Sequence, residues 1–225
     1  MDVRENLETI TGNINTAAKR VGRDPKRVNL VAVTKYVSVE RTKEALDAGI
    51  THFGESRDEG LIKKVDALGS MPSWHFIGTL QSRKVKEVLP YVDYILSLDR
   101  RSLAKEIQKR ANRDVNCFVQ VNVAGEESKH GLSPDDTIPF IESLSKFPAI
   151  KVVGLMAMAP HVEDTKEIRK VFKTLRELSE RVQRLSLHHA PCKELSMGMS
   201  NDYEIAVEEG ATFVRIGSSL VGHEQ

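Results

Sequence analysis

The sequence predicts an α/β fold, a (β/α)8 TIM barrel with one extra helix at its N-terminus. Three observations predict it. Short apolar runs rich in β-branched residues recur along the chain, as expected of strands buried on both faces. Each run is followed by a helical pattern, and strand–helix alternation implies right-handed βαβ units in a parallel sheet. The alternation occurs eight times in 225 residues, which suits a closed barrel better than an open sheet.

The extra helix is expected over residues 2–20. Val3, Leu7, Ile10, Ile14, Ala17 and Val21 recur at helical spacing, with polar residues on the other face. Gly22 stops it and Asp24-Pro25 turns the chain, so residues 1–22 precede the first strand. That strand is the apolar run 28–33, ending at Thr34-Lys35. Ser38 is placed to cap a helix that ends at Gly49. A second strand at 51–53 leads into Gly54-Glu55-Ser56 and a charged helix. The third strand, 74–77, ends in Gly78 and precedes a basic helix at 82–89. The fourth, 94–98, precedes a helix at 101–111. After the fifth, 115–123, Ser133-Pro134-Asp135-Asp136 combines a cap, a proline at the first helical position and acids in the first turn. The sixth strand, 151–158, precedes a long helix at 164–185. The seventh, 194–197, precedes a helix at 201–209, and the eighth, 212–216, closes at Gly217 with a helical stub. No linker or composition break divides the chain, so residues 1–225 are expected to form a single domain.

Composition narrows the function classes. The chain is 40% hydrophobic and 29% charged, with a formal net charge of +1. Such a balance advertises neither nucleic acid nor membrane binding. Two cysteines, Cys117 and Cys192, imply no disulfide framework and fit a reducing compartment. No apolar run approaches the roughly 20 residues of a membrane span. Residues 1–20 lack the apolar core of a signal peptide, so a cytoplasmic location is expected.

In such barrels the active face lies at the C-terminal ends of the strands. Lys35 ends strand 1 there. A buried amine loses proton affinity, and its neutral form condenses with aldehydes; the competing reading is a lysine snorkelling to solvent at the barrel mouth or pairing with Glu55. Opposite it, Met197-Gly198-Met199-Ser200 follows strand 7, with Ser200 placed to cap the next helix, and Gly217-Ser218-Ser219 follows strand 8. Phosphate sites in these barrels are commonly built from those two loops, although each alone is also an ordinary turn. Arg215 on strand 8 is either a structural ion pair with a barrel carboxylate or a partner for a cofactor nitrogen. Together these features favour a phosphorylated aldehyde.

Several segments resemble the pyridoxal phosphate homeostasis family, which is related to the alanine racemase N-terminal barrel. They are Val31-Ala32-Val33-Thr34-Lys35, Trp74-His75-Phe76-Ile77-Gly78-Thr79-Leu80-Gln81, Leu195-Ser196-Met197-Gly198-Met199-Ser200-Asn201-Asp202 and Val214-Arg215-Ile216-Gly217. The resemblance spans nearly the whole chain and implies a fold-type III barrel for pyridoxal 5'-phosphate (PLP). It makes Lys35 the Schiff-base lysine. Ser200, Gly217 and Ser218 would hold the phosphate, and Arg215 would face the pyridine nitrogen. Asn122 and Met156 would line the pocket, with His75 close by and Ser56 in polar contact with the cofactor. At Ser56 and at Arg83 many members carry Asn. Arg83 with Lys84 and Lys86 makes a basic patch, read either as a solvated helix face or as a second phosphate or partner site.

The resemblance implies a carrier that buffers PLP and passes it to apo-enzymes, with no catalytic residue. The rival is a weak amino acid racemase, which needs acid–base groups on both faces of the bound cofactor. Racemases of this barrel take the second group from a further domain, for which the sequence shows no residues beyond the barrel. Of the tyrosines Tyr36, Tyr91, Tyr94 and Tyr203, the last is nearest the phosphate loop. A third reading is an interaction protein with a vestigial pocket. A monomer is expected. His188-His189 and Cys192 lack a fourth ligand, so no metal is expected. The polar loop carrying Glu126, Glu127, Lys129 and His130 is a candidate lid.

Overall fold

The computed structural model describes residues 2–126 and 130–224. Eight parallel strands close a barrel in sequence order: β1 (Asn29–Val33), β2 (His52–Glu55), β3 (Ser73–Phe76), β4 (Tyr94–Leu98), β5 (Val115–Gln120), β6 (Ile150–Met156), β7 (Glu194–Ser196) and β8 (Phe213–Ile216). Closure is made by β1 against β8, with Val31 opposite Arg215 and Ala32 opposite Ile216. The α-helices are α1 (Val3–Arg20), α2 (Val39–Asp47), α3 (Asp58–Leu68), α4 (Val85–Val88), α5 (Arg101–Arg110), α6 (Pro134–Ser143), α7 (Thr165–Arg184), α8 (Tyr203–Glu208) and α9 (Ser218–Val221).

Strand alternation divides the apolar residues into two layers. The larger lies between sheet and helices and includes Phe53, Trp74, Ile95, Leu103, Phe172 and Leu175. The smaller fills the barrel with Val31, Leu96, Phe118, Met156 and Phe213. α7 shows how the outer layer forms: Ile168, Val171, Phe172, Leu175, Leu178 and Val182 are buried on one face. Gly154 lets β6 approach β7, because a Cβ there would lie 2.0 Å from Glu194 O.

Most predicted elements are present, and two boundary differences bear on the site. The basic helix expected at 82–89 is only one turn, α4, flanked by 3-10 turns at Ser82–Lys84 and Leu89–Tyr91. Leu89 keeps helical angles, but Pro90 has no N–H to continue the helical ladder. The helix expected from residue 201 with Ser200 as its cap starts at Tyr203, with Asp202 in the N-cap position. Asp202 Oδ1 instead accepts from Met199 N at 2.6 Å, which winds residues 199–202 into a turn and removes Ser200 from the helix end.

Candidate functional site

A cavity of about 660 Å³ opens at the C-terminal face of the barrel. Its wall brings together Lys35 after β1, Met199 to Asp202 after β7, and Arg215, Gly217 and Ser218 on and after β8. The β6–α7 loop contributes Ala159 to Glu163, and Gly222 and His223 complete the rim. Five of the nine predicted cofactor-binding residues therefore share one cavity: Lys35, Ser200, Arg215, Gly217 and Ser218.

Lys35 sits in a turn two residues beyond β1 and is exposed, so burial does not lower its proton affinity and its amine reaches solvent at the barrel mouth, as in the snorkelling reading. Its Nζ lies 4.8 Å from the ring centroid of Tyr36, over the ring face. The competing ion pair with Glu55 is also set aside: Glu55 is buried and binds Lys64 at 2.6 Å.

Arg215 points into the barrel mouth and is 5% exposed. Its Nη1 donates to Ser196 Oγ at 2.7 Å and its Nη2 to Ala157 O at 3.2 Å. Both acceptors are neutral, which removes the reading of a structural ion pair. Burial pushes its pKa down to about 10, against the opposing pull of Asp202, so it remains a cation at neutral pH. Burial also raises the carboxyl of Asp202, opposed by the Met199 N–H and the charge of Arg215. Ser219 Oγ donates to Ser200 Oγ at 3.0 Å, tying the two small-residue loops together.

Four predicted residues lie outside this wall. His75 was expected beside the pocket, but it is fully buried toward the other end of the barrel. It stacks on Tyr94, the first residue of β4, at 4.4 Å and contacts Phe213, the first of β8. Met156 belongs to the barrel-filling cluster. Asn122 donates from Nδ2 to Glu126 O at 2.8 Å and accepts from Glu126 N at 3.3 Å, which shapes its own loop. Ser56 lines a separate hollow with Asp58, Gln81, Arg83 and Lys84. Its carbonyl would be 2.5 Å from a Cβ on Gly78.

The remaining candidates divide similarly. Of the tyrosines, Tyr203 turns away from the cavity and accepts at its hydroxyl from Asn13 of α1 at 2.8 Å, while Tyr36 lines the wall. The basic patch has nearby polar or acidic partners: Arg83 bonds Gln81, Lys84 binds Asp58 at 2.6 Å and Lys86 lies 3.7 Å from Glu87. That pattern suits a solvated helix face. His189 is turned to Ile141 O, and burial pushes the Cys192 thiol up to about 12. No cluster of three metal-ligating residues occurs among the described residues. In the candidate lid, Glu127 and Lys129 lie outside the described residues, whereas Glu126 closes on Asn122. Among the described residues no helix is long and apolar enough to cross a membrane.

His161, Glu163 and His223 line the cavity and were missed from sequence. His161 and Glu163 follow the sixth strand at the functional face, so position alone could have flagged them. His223 carries no such signal.

The family model of the alanine racemase N-terminal domain matches residues 6–225. The pyridoxal phosphate homeostasis protein of Aquifex aeolicus is 40% identical, with 100% of each chain covered. That of Pseudomonas aeruginosa is 36% identical over 98% of this chain and 95% of the relative. PipY of Synechococcus elongatus, solved with PLP bound, superposes with a TM-score of 0.83 at 32% identity, covering 98% of this chain and 100% of that one. Alanine racemase of Clostridium difficile shares the fold, with a TM-score of 0.73 at 15% identity over 99% of this chain and 57% of the racemase. The chain belongs to the alanine racemase N-terminal domain family and, within it, to the pyridoxal phosphate homeostasis proteins.

Proposed function

We propose that this chain binds PLP as a Schiff base on Lys35 and serves PLP homeostasis, buffering the cofactor and delivering it to apo-enzymes without catalysis of its own. One observation carries the reading: a solvent-reachable amine and a buried guanidinium with neutral acceptors share one cavity with two loops of small residues. These groups fit a phosphorylated aldehyde. Lys35 is the amine for the aldehyde, and Ser200, Gly217 and Ser218 offer hydroxyls and backbone N–H groups to the phosphate. Arg215 faces the ring nitrogen. The relatives' names and the PLP-bound structure of PipY support the same ligand.

When bound, PLP supplies an electrophilic carbon and a ring that draws electrons most strongly with its nitrogen protonated. Arg215 keeps its own charge at neutral pH and so disfavours that proton, which supports holding over turnover. His75, Met156, Asn122 and Ser56 stand outside the wall and take no assigned part in this reading. A monomeric, cytoplasmic, single barrel domain of residues 1–225 completes it; the two buried free thiols fit a reducing compartment.

The test is direct. Purified protein mixed with PLP turns yellow, and borohydride reduction fixes the cofactor on the peptide carrying Lys35. A colourless mixture, or a label on another lysine, refutes the reading. Weak racemisation is the second reading, favoured by the fold shared with alanine racemase. Against it, Tyr36 lies directly beneath the Lys35 amine and Tyr203 faces α1. Incubation with single enantiomers decides: racemisation lost in Lys35→Ala would replace the carrier reading.

A further inference from the structure

Below Lys35 lies a buried ion pair that the reading above does not use. Lys64 of α3 and Glu55 at the end of β2 meet at 2.6 Å, with side chains 6% and 2% exposed. Removing two charges from water costs several kcal/mol per ion, and well-packed apolar side chains often stabilise such a place equally well. The pair does something an apolar pair cannot. Lys64 Nζ donates to Thr34 O at 2.5 Å, and Thr34 Oγ1 donates to Glu55 Oε1 at 2.6 Å. Thr34 N donates to Gly54 O, and Thr34 O also accepts from Val37 N, both at 3.1 Å. Every polar atom of the residue before Lys35 is therefore engaged. Gly60 leaves space for the carboxylate, since a Cβ there would lie 3.0 Å from Glu55 Oε2. Lys35 itself is exposed on a flexible stem, so the fold controls it chiefly through the placement of its backbone.

We propose that Lys64 and Glu55 are positioning residues for Lys35, clamping Thr34 so that the amine enters the cavity in one place. The clamp sets how long the aldehyde stays attached. This rests on the Schiff-base reading of Lys35. In the covalent step the Lys35 nitrogen attacks the aldehyde carbon and a C=N bond forms. The aldehyde oxygen leaves as water, carrying both amine protons, and hydrolysis reverses the step. A preorganised amine holds its adduct against that hydrolysis, whereas a wandering one does not.

The experiment uses full-length protein loaded with PLP and follows three variants beside wild type. Glu55→Leu/Lys64→Met removes both charges together, so no unpaired ion is left buried. Thr34→Val removes only the hydroxyl bond, and Lys64→Arg keeps a cationic donor. The readouts are the melting temperature of unloaded protein, the first-order loss of Schiff-base absorbance on dilution, and the pH at which that band titrates. The double variant is expected to melt within a few degrees of wild type, release PLP about tenfold faster and shift the band's titration. Thr34→Val releases a few-fold faster, and Lys64→Arg restores most of the wild-type lifetime. A double variant that melts, titrates and releases like wild type overturns the proposal. Should the double variant not fold, an unchanged release rate in Thr34→Val overturns it instead. Failure of the underlying reading looks different: the band is then missing from wild type or survives in Lys35→Ala.

Discussion

The two ends of the barrel bury titratable groups in opposite ways. At the mouth, Arg215 holds neutral acceptors beside an open cavity. At the other end, His75 is sealed among Tyr94, Phe213 and His52. Its Nε2 lies 3.0 Å from His52 Nδ1, and its Nδ1 has no hydrogen-bond partner among the described residues. Burial lowers the pKa of both residues. The guanidinium starts high enough to stay charged, whereas the imidazole is left neutral. The same desolvation thus leaves a cation where an anionic or electron-rich ligand could use it, and an uncharged ring where only packing is needed.

The largest expected break in this comparison is at the mouth. Lys35→Ala is expected to abolish the Schiff-base absorbance entirely while leaving urea unfolding of the unloaded protein within about 0.5 kcal/mol, because the side chain is exposed. Arg215→Met is next. It strands Ser196 Oγ and Ala157 O, so a loss of about 1–3 kcal/mol is expected in urea unfolding of unloaded protein; an unchanged midpoint would mean that Arg215 serves the ligand alone.

The sealed end predicts a pH dependence. Burial, then the charges of His52 and Arg215, hold the folded pKa of His75 well below 6.5. Below pH 6.5 the unfolded chain binds the proton more readily, so stability is full above 6.5 and falls as the pH drops through that value. The slope from one proton is at most about 1.4 kcal/mol per pH unit. Urea midpoints between pH 7.5 and 5 should fall for wild type and fall less for His75→Phe; equal slopes would remove His75 from the account. The smallest effect is expected at the basic patch. Lys84→Ala breaks a partly exposed pair with Asp58 and should leave the urea midpoint nearly unchanged, with PLP release unchanged. A marked change in release would revive that patch as a binding site.

Legibility followed the range of the interaction involved. The start of α6 is local: the Ser133 hydroxyl accepts from Asp136 N at 3.1 Å, and Pro134 follows the cap. The stripe of α7 and the β-branched strands are periodic, so they too show in the chain. Ser200 misled because a competing short-range bond, Asp202 to Met199 N, moved the helix start by two residues. His75 misled because a family motif marks a position without its depth in the barrel. The Glu55–Lys64 pair was invisible as a clamp, because its third member, Thr34, is 30 residues from Lys64.

By itself the sequence determined the alternation of eight strands with helices, the placement of Lys35 after β1 and the small-residue loops after β7 and β8. These follow from local caps, turn residues and hydrophobic periodicity, which need no distant partner. Only the tertiary structure decided that Lys35 is exposed, that Arg215 is buried on neutral acceptors, and that Lys64 rather than Lys35 takes Glu55. Closing the barrel sets the depth and partners of each strand-end side chain, and desolvation with hydrogen-bond geometry then decides its chemistry.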